Sequence, residues 1–286
     1  MKNATTNINF YGKIMKKEIF MQFITPSLQS RIFSATSAHI YIRPHILLQP
    51  YIAHYTLHIQ EIANKNKELV LIPDIAGCMV FTPSSHELDI QFWGATTKTV
   101  IVNNNHPPQR FFIEFKPGGS FPFTGIPQKE LLNQQVDMHQ ILPEWKYKIQ
   151  EFWFSTTCIY DFLGLLEHFL LSKLHHNESP NFLNQLSICL REHKGLDEIC
   201  AFSDRHLHRI LQNQVGTGIK VYQRLIRMNQ ALDFIQNPSL SLTQIAYFCG
   251  YYDQSHFIHD FKQVCGVTPG VYRKQMSDFY NESFKF

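Results

Sequence analysis

The sequence predicts an α+β chain of two domains: a β-rich N-terminal sandwich or barrel with following helices, and an all-α C-terminal domain built on a repeated bihelical unit. Three observations predict it. Short β-branched and aromatic runs punctuated by Pro, Gly and Asn fill residues 24 to 125, helical spacing takes over from about residue 129, and the C-terminal part matches itself at an offset of 50 residues. With 286 residues, 44% of them apolar and 17% charged, the chain can bury two cores and reads as globular. A formal net charge of +3 is too small to name a partner by itself.

Residues 1–22 are polar, lack the apolar core of a signal peptide and read as a flexible tail; no run is long and apolar enough to span a membrane, so a cytoplasmic protein is expected. Residues 23–174 form the β-rich domain with its helical extension. Its strands are expected in LVLIP, GCMVFTP, LDIQFWG, KTVIVNNN and RFFIEFKPGG. In RFFIEF the period of two puts Phe111, Ile113 and Phe115 on one face and Phe112 and Glu114 on the other. Helices are expected in KELLNQQVDMHQIL, EWKYKIQEFWF and IYDFLGLLEHFLLSKL. Phe92, Trp93, Phe112 and Phe115 are candidates for lining an apolar ligand pocket, although such rings more often serve as core.

Residues 175–182, which begin HHNESPN, carry a proline and little to bury; they are the expected linker. Cysteines 78, 158, 189, 200, 249 and 265 form no CxxC pair, which speaks against a zinc site or a disulfide framework. Histidines 39, 45, 54 and 58 lack the register of a metal-binding barrel. The apolar neighbours of Cys78 favour an inert thiol. No metal and no cofactor is expected.

The domain from 183 to 276 contains the repeat, followed by a tail at 277–286. HLHRILQNQVGTGIKVYQR from His206 falls on HFIHDFKQVCGVTPGVYRK from His256 without a gap, and LDEICAF falls on LTQIAYF further upstream. In the second copy, Ser241 and Gln244 form a capping box, Gly250 closes a first helix and Asp253 opens a second, along which Phe257, Phe261 and Val264 recur on one face. Thr268-Pro269 starts one more helix. A short helix, a Gly-containing turn and a second helix with a polar outer face make a helix-turn-helix, whose second helix can enter the major groove. The outer face carries Gln254, Ser255, His259 and Lys262; in the first copy it carries Arg205, His208, Arg209 and Gln212.

The stretch GYYDQSHFIHDFKQVCGVTPGVYRK resembles the signature of the AraC family of bacterial transcription regulators, and the resemblance covers about residues 183 to 276. It implies two helix-turn-helix units joined by a long helix, here GIKVYQRLIRMNQALDFIQ. By position it implies base reading by Arg205, His208 and Arg209 in the first unit and by Gln254, Ser255 and His259 in the second. Lys and Arg outnumber Asp and Glu between 187 and 277, and Gln212, Tyr222, Arg224, Lys262, Tyr272, Arg273 and Lys274 are the candidates for phosphate contacts. Arg227, on the long helix, reads either as a further phosphate contact or as a structural ion-pair partner, with Asp233 one candidate. The first unit departs from the pattern: it lacks the four residues matching Cys249 to Tyr252, so its turn is missing or rebuilt.

The N-terminal half, with VLIPDIAGCMVF and its Phe-x-Pro-Gly-Gly turn, resembles the β-rich domain of one subgroup of these regulators. The expected function is therefore sequence-specific transcription regulation without catalysis, as activator or repressor. Candidate partners are double-stranded promoter DNA, RNA polymerase, a small-molecule effector and a second copy of the chain. Two rivals stay open: an enzyme, or a protein-interaction module, in which the helical half serves only for targeting.

Overall fold

Alternation along the strands decides which side of the main sheet is buried against helices. The computed structural model describes residues 26–36, 38–59, 68–103, 109–174, 181–194, 203–276 and 279–280. The tail expected at 1–22 and most of the expected linker lie outside the described residues. After a short helix α1 (Pro26–Gln29), the strands are β1 (Ile32–Ala35), β2 (His39–Ile42), β3 (Ile52–Ile59), β4 (Glu68–Leu71), β5 (Cys78–Pro83), β6 (Leu88–Trp93), β7 (Val100–Asn103) and β8 (Gln109–Phe115). Further on come α2 (Phe121–Thr124), a 3-10 turn at Gln128–Glu130, β9 (Gln135–Asp137), α3 (Met138–Ile141), α4 (Pro143–Ser155) and α5 (Ile159–Lys173).

Seven strands pair antiparallel in the order β1-β2-β3-β8-β5-β6-β9. On β8 the residues Phe111, Ile113 and Phe115 join one core with Phe81 and Phe92 and with Trp145, Phe162 and Leu166 of α4 and α5. The opposite face of the sheet looks toward a second sheet of order β10-β4-β7, in which β10 (Phe279–Tyr280) runs parallel to β4. The stretch expected as a C-terminal tail thus contributes an edge strand to the N-terminal domain.

The helix expected over KELLNQQVDMHQIL does not form as one element. Asn133 adopts a left-handed φ of 59°, its N–H donates to Ala95 O, and Gly94 N–H donates to Gln134 O. The chain is thereby turned onto the edge of β6 as β9, and Asp137 then caps the short α3 by accepting from His139 N–H. Helical spacing was present, but the open edge of β6 pairs the backbone of Gln135–Asp137 instead.

The C-terminal helices are α6 (Asn181–Arg191), α7 (Asp204–Gln214), α8 (Ile219–Ile235), α9 (Leu242–Phe248), α10 (Gln254–Cys265) and α11 (Pro269–Lys274). They share a core of residues such as Leu186, Leu211, Leu225, Ile245, Phe257 and Phe261, and this core also takes in Ile72 and Ile75 from the loop after β4. The two domains meet closely at three further points. Asn184 Nδ2 donates to Pro50 O at 3.1 Å, Gly118 approaches Leu183, and Gly216 approaches the backbone carbonyl of Gln128.

Gly216 has φ +86°, and a Cβ there would lie 2.6 Å from Gln128 O. Gly216→Ala is therefore expected to lower stability by about 1–2 kcal/mol from the left-handed backbone alone, with more from the clash. Gly218→Ala, whose Cβ would meet open space, is the matched control. Thermal unfolding of the two variants beside the wild type measures the difference.

Candidate nucleic-acid interface

Local chemistry builds the second bihelical unit. The Ser241 side chain accepts from Gln244 N–H at 3.2 Å while Ser241 N–H donates to Gln244 Oε1 at 2.9 Å, so each satisfies an orphan group at the start of α9. Gly250 takes φ +70°, and Tyr251 N–H returns to Ala246 O at 3.0 Å, which ends α9 and makes the turn. Asp253 then caps α10 by accepting from His256 N–H at 2.7 Å. Phe257, Phe261 and Val264 go into the core, whereas Ser255, His259 and Lys262 are exposed and Gln254 is half-buried at the start of the helix.

In the first unit Ser203 caps α7 by accepting from His206 N–H. Leu207 and Leu211 are buried; Arg205, His208 and Arg209 are exposed, and Gln212 is half-buried. Arg209 Nη2 lies 3.3 Å from His206 Nδ1. The short helix expected just before Ser203, and with it the contracted turn, falls at residues 195–202, outside the described residues. Between the units runs α8, whose 17 residues span on the order of 25 Å.

Four of the residues expected at phosphates have other partners. Tyr222 is 0% exposed and shares a hydrogen bond of 2.6 Å with Ser187. Burial pushes its phenol upward, and it ties α8 to α6 rather than reaching a backbone phosphate. Tyr272 is 4% exposed and packs edge-on against Phe261, with burial pushing its phenol up to about 12. Arg273 donates to Ile235 O and Leu240 O, closing the segment after α8. Arg224 Nε pairs with Asp260 Oδ1 at 3.4 Å, which joins α8 to α10. Lys262 and Lys274 are exposed. Arg227 also departs from expectation: its guanidinium lies 5.0 Å from the centre of the Tyr251 ring, and Asp233 pairs instead with Arg191 at 3.2 Å.

A second candidate site lies between the two sheets, where a cavity of about 350 Å³ opens. Trp93 and Phe112 line it, as expected. Phe92 and Phe115 do not: both belong to the core under α4 and α5, because the period of two turns them to the other face of β6 and β8. The cavity instead gains Arg110, Glu114, Gln91 and His58 on the main sheet, opposite apolar residues of β4 and β7. Their signal was in the sequence, since Arg110, Phe112 and Glu114 alternate with the core residues of RFFIEF. Arg110 Nη2 is 3.1 Å from His58 Nδ1, and its guanidinium stacks over Phe112 at 5.3 Å. His39 stacks on His58 at 4.7 Å, and burial, then the nearby Arg110 charge, hold its imidazole below the ordinary value.

Among the described residues no group of three or more His, Cys, Asp or Glu is gathered as a metal ion requires, and no helix is long and apolar enough to cross a membrane. Cys249 and Cys265 are free thiols that burial pushes up to about 12.

Comparison with known proteins bears on both halves. A family profile described as a helix-turn-helix domain matches residues 198–275, and one described as a domain of unknown function (DUF6597) matches residues 41–137. The chain is 33% identical over 81 residues to the HTH-type transcriptional regulator GlxA of Rhizobium meliloti, covering 28% of this chain and 25% of that protein. It is 36% identical over 73 residues to the HTH-type transcriptional activator RhaR of Cronobacter sakazakii, covering 26% of each. A solved transcriptional regulator of Chromobacterium violaceum, described by its AraC-type DNA-binding domain, is 27% identical over 33% of this chain and 87% of its own, with a TM-score of 0.31. The chain spans about a quarter of the length of these two curated relatives. Residues 198–275 carry a helix-turn-helix domain similar to those of these transcriptional regulators.

Proposed function

We propose that the chain is a sequence-specific transcription regulator that lays α7 and α10 into the major groove of promoter DNA and takes a small-molecule effector into the cavity of its N-terminal domain. The observation that carries this reading is the second unit: α10 is capped, locked by three apolar residues on its inner side, and presents Gln254, Ser255, His259 and Lys262 outward. Hydroxyl, amide and imidazole groups at the start of such a helix can read base edges. Arg205, His208 and Arg209 do the same on α7. With Tyr222, Arg224, Tyr272 and Arg273 engaged inside the protein, Gln212, Lys262 and Lys274 are the phosphate contacts of this reading.

The effector part rests on the cavity, whose aromatic and polar lining suits a small molecule. Ile72 lines that cavity and also packs into the helical core, so an occupant there touches a residue shared with the DNA-binding half. RNA polymerase and a second copy of the chain are candidate partners under this reading.

Selection of random duplexes by the full chain, followed by salt titration of the winner, tests the reading. Binding is expected to fall steeply with salt as counterions are released. Gln254→Ala is expected to lose about 1–3 kcal/mol of discrimination at one base position with the salt slope unchanged, whereas Lys262→Ala lowers the slope by about 1. Enrichment of no duplex, or an unchanged base preference for Gln254→Ala at every position, removes the reading.

A further inference from the structure

Within α9, Thr243 is exposed and performs no packing. Its hydroxyl nevertheless crosses the turn and donates to Gln254 Oε1 at 2.7 Å. Both ends of this bond hang on fixed frames: Thr243 lies within the reciprocal Ser241–Gln244 cap, and Gln254 follows the Asp253 cap of α10. The turn between them is set by Gly250 and by the Tyr251 N–H to Ala246 O bond. A long, half-buried glutamine at the start of a recognition helix would otherwise choose among several rotamers and could show a base either its carbonyl or its amide nitrogen.

We propose that Thr243 is a positioning residue that makes Gln254 a donor-only reader: the threonine hydroxyl holds the side-chain carbonyl back against α9 and leaves the Nε2 hydrogens as the groups facing DNA. This inference rests on the DNA-reading conclusion above. A free glutamine recognises adenine by two bonds at once, its carbonyl accepting from the N6 amino group and its nitrogen donating to N7. With the carbonyl turned toward Thr243, the first of those bonds is lost. What remains suits a base edge that offers acceptors only, which in the major groove means guanine, with O6 and N7, or thymine, with O4. The partial positive charge at the start of α10 favours the same acceptor-rich edge.

The test uses the full chain and random-duplex selection with four proteins: wild type, Gln254→Ala, Thr243→Val and Thr243→Ser. Gln254→Ala identifies the base position that Gln254 reads. At that position the wild type is expected to enrich guanine or thymine over adenine. Thr243→Val keeps the shape and removes the hydroxyl; it is expected to shift the ratio toward adenine by about tenfold, the size of one well-formed base contact. Thr243→Ser restores the hydroxyl and is expected to select as the wild type does, which a purely structural role for the threonine methyl would not produce.

Three results overturn the inference while leaving the DNA-reading conclusion intact: a wild type that already prefers adenine there, a Thr243→Val variant with an unchanged ratio, or a Thr243→Ser variant that shifts as far as valine. A wild type that enriches no duplex defeats the DNA-reading conclusion itself, and the inference falls with it.

Discussion

Phe261→Ala is expected to destabilise the C-terminal domain by about 3–5 kcal/mol, the usual cost of truncating a fully buried phenylalanine. The ring is completely enclosed between Phe257 at 5.7 Å and Tyr272 at 5.5 Å. It therefore fastens both α10 and α11 to the helical core. Losing that much removes a large share of a domain's ordinary stability, so the helical signal and duplex binding are expected to be lost together at a much lower urea concentration than in the wild type. Phe261→Leu, which keeps most of the volume, is expected to lose far less. Urea unfolding of both variants, followed by circular dichroism and paired with duplex binding, checks the result. Equal stability of the alanine variant and the wild type would show that α10 is not held by this cluster.

The second large effect lies in the other domain. Glu167 of α5 is buried, and Arg31 meets it with two bonds, Nη1 to Oε2 at 3.1 Å and Nη2 to Oε1 at 2.5 Å, while His45 N–H donates to Oε1 at 2.7 Å. Arg31 also donates to Arg43 O, so one guanidinium joins β1, the end of β2 and α5. Arg31→Met leaves a buried carboxylate with the His45 N–H and the neighbouring Tyr55 phenol but no cation. The expected cost is about 3 kcal/mol, the lower end for a buried pair that loses one member, because the Arg31 side chain is 23% exposed. In a Glu167→Gln background the same replacement is expected to cost much less, since the amide still accepts from His45 and no charge is stranded. A double-mutant cycle by urea unfolding measures the coupling; additive costs would show that the carboxylate is solvated in the folded protein.

The second helix-turn-helix unit was legible in the sequence to the residue. Ser241, Gln244, Gly250, Asp253 and Thr268 each act within a few positions along the chain, so their caps and turns follow from spacing alone. The alternation in RFFIEF likewise sorts the residues of β8 onto two faces, but it does not say which face is core: Phe112 and Phe115 are both pocket candidates by sequence, and only Phe112 lines the cavity. Where the chain was misread, distant partners decided. Asn133 and Asp137 turned an expected helix into β9 because the edge of β6 was open beside them.

What the sequence by itself determined is the two-part architecture, the repeated bihelical unit and the exposed face of α10, because hydrophobic period and capping are properties of neighbours in the chain. Only the tertiary structure decided that Tyr222, Arg224, Tyr272 and Arg273 face inward or bind the protein's own groups, that Arg110 and Glu114 line a cavity, and that Ile72 serves both domains. A side chain with an apolar body and a polar tip carries no local sign of whether that tip will meet solvent or a partner a hundred residues away, and its use is fixed only when the elements pack.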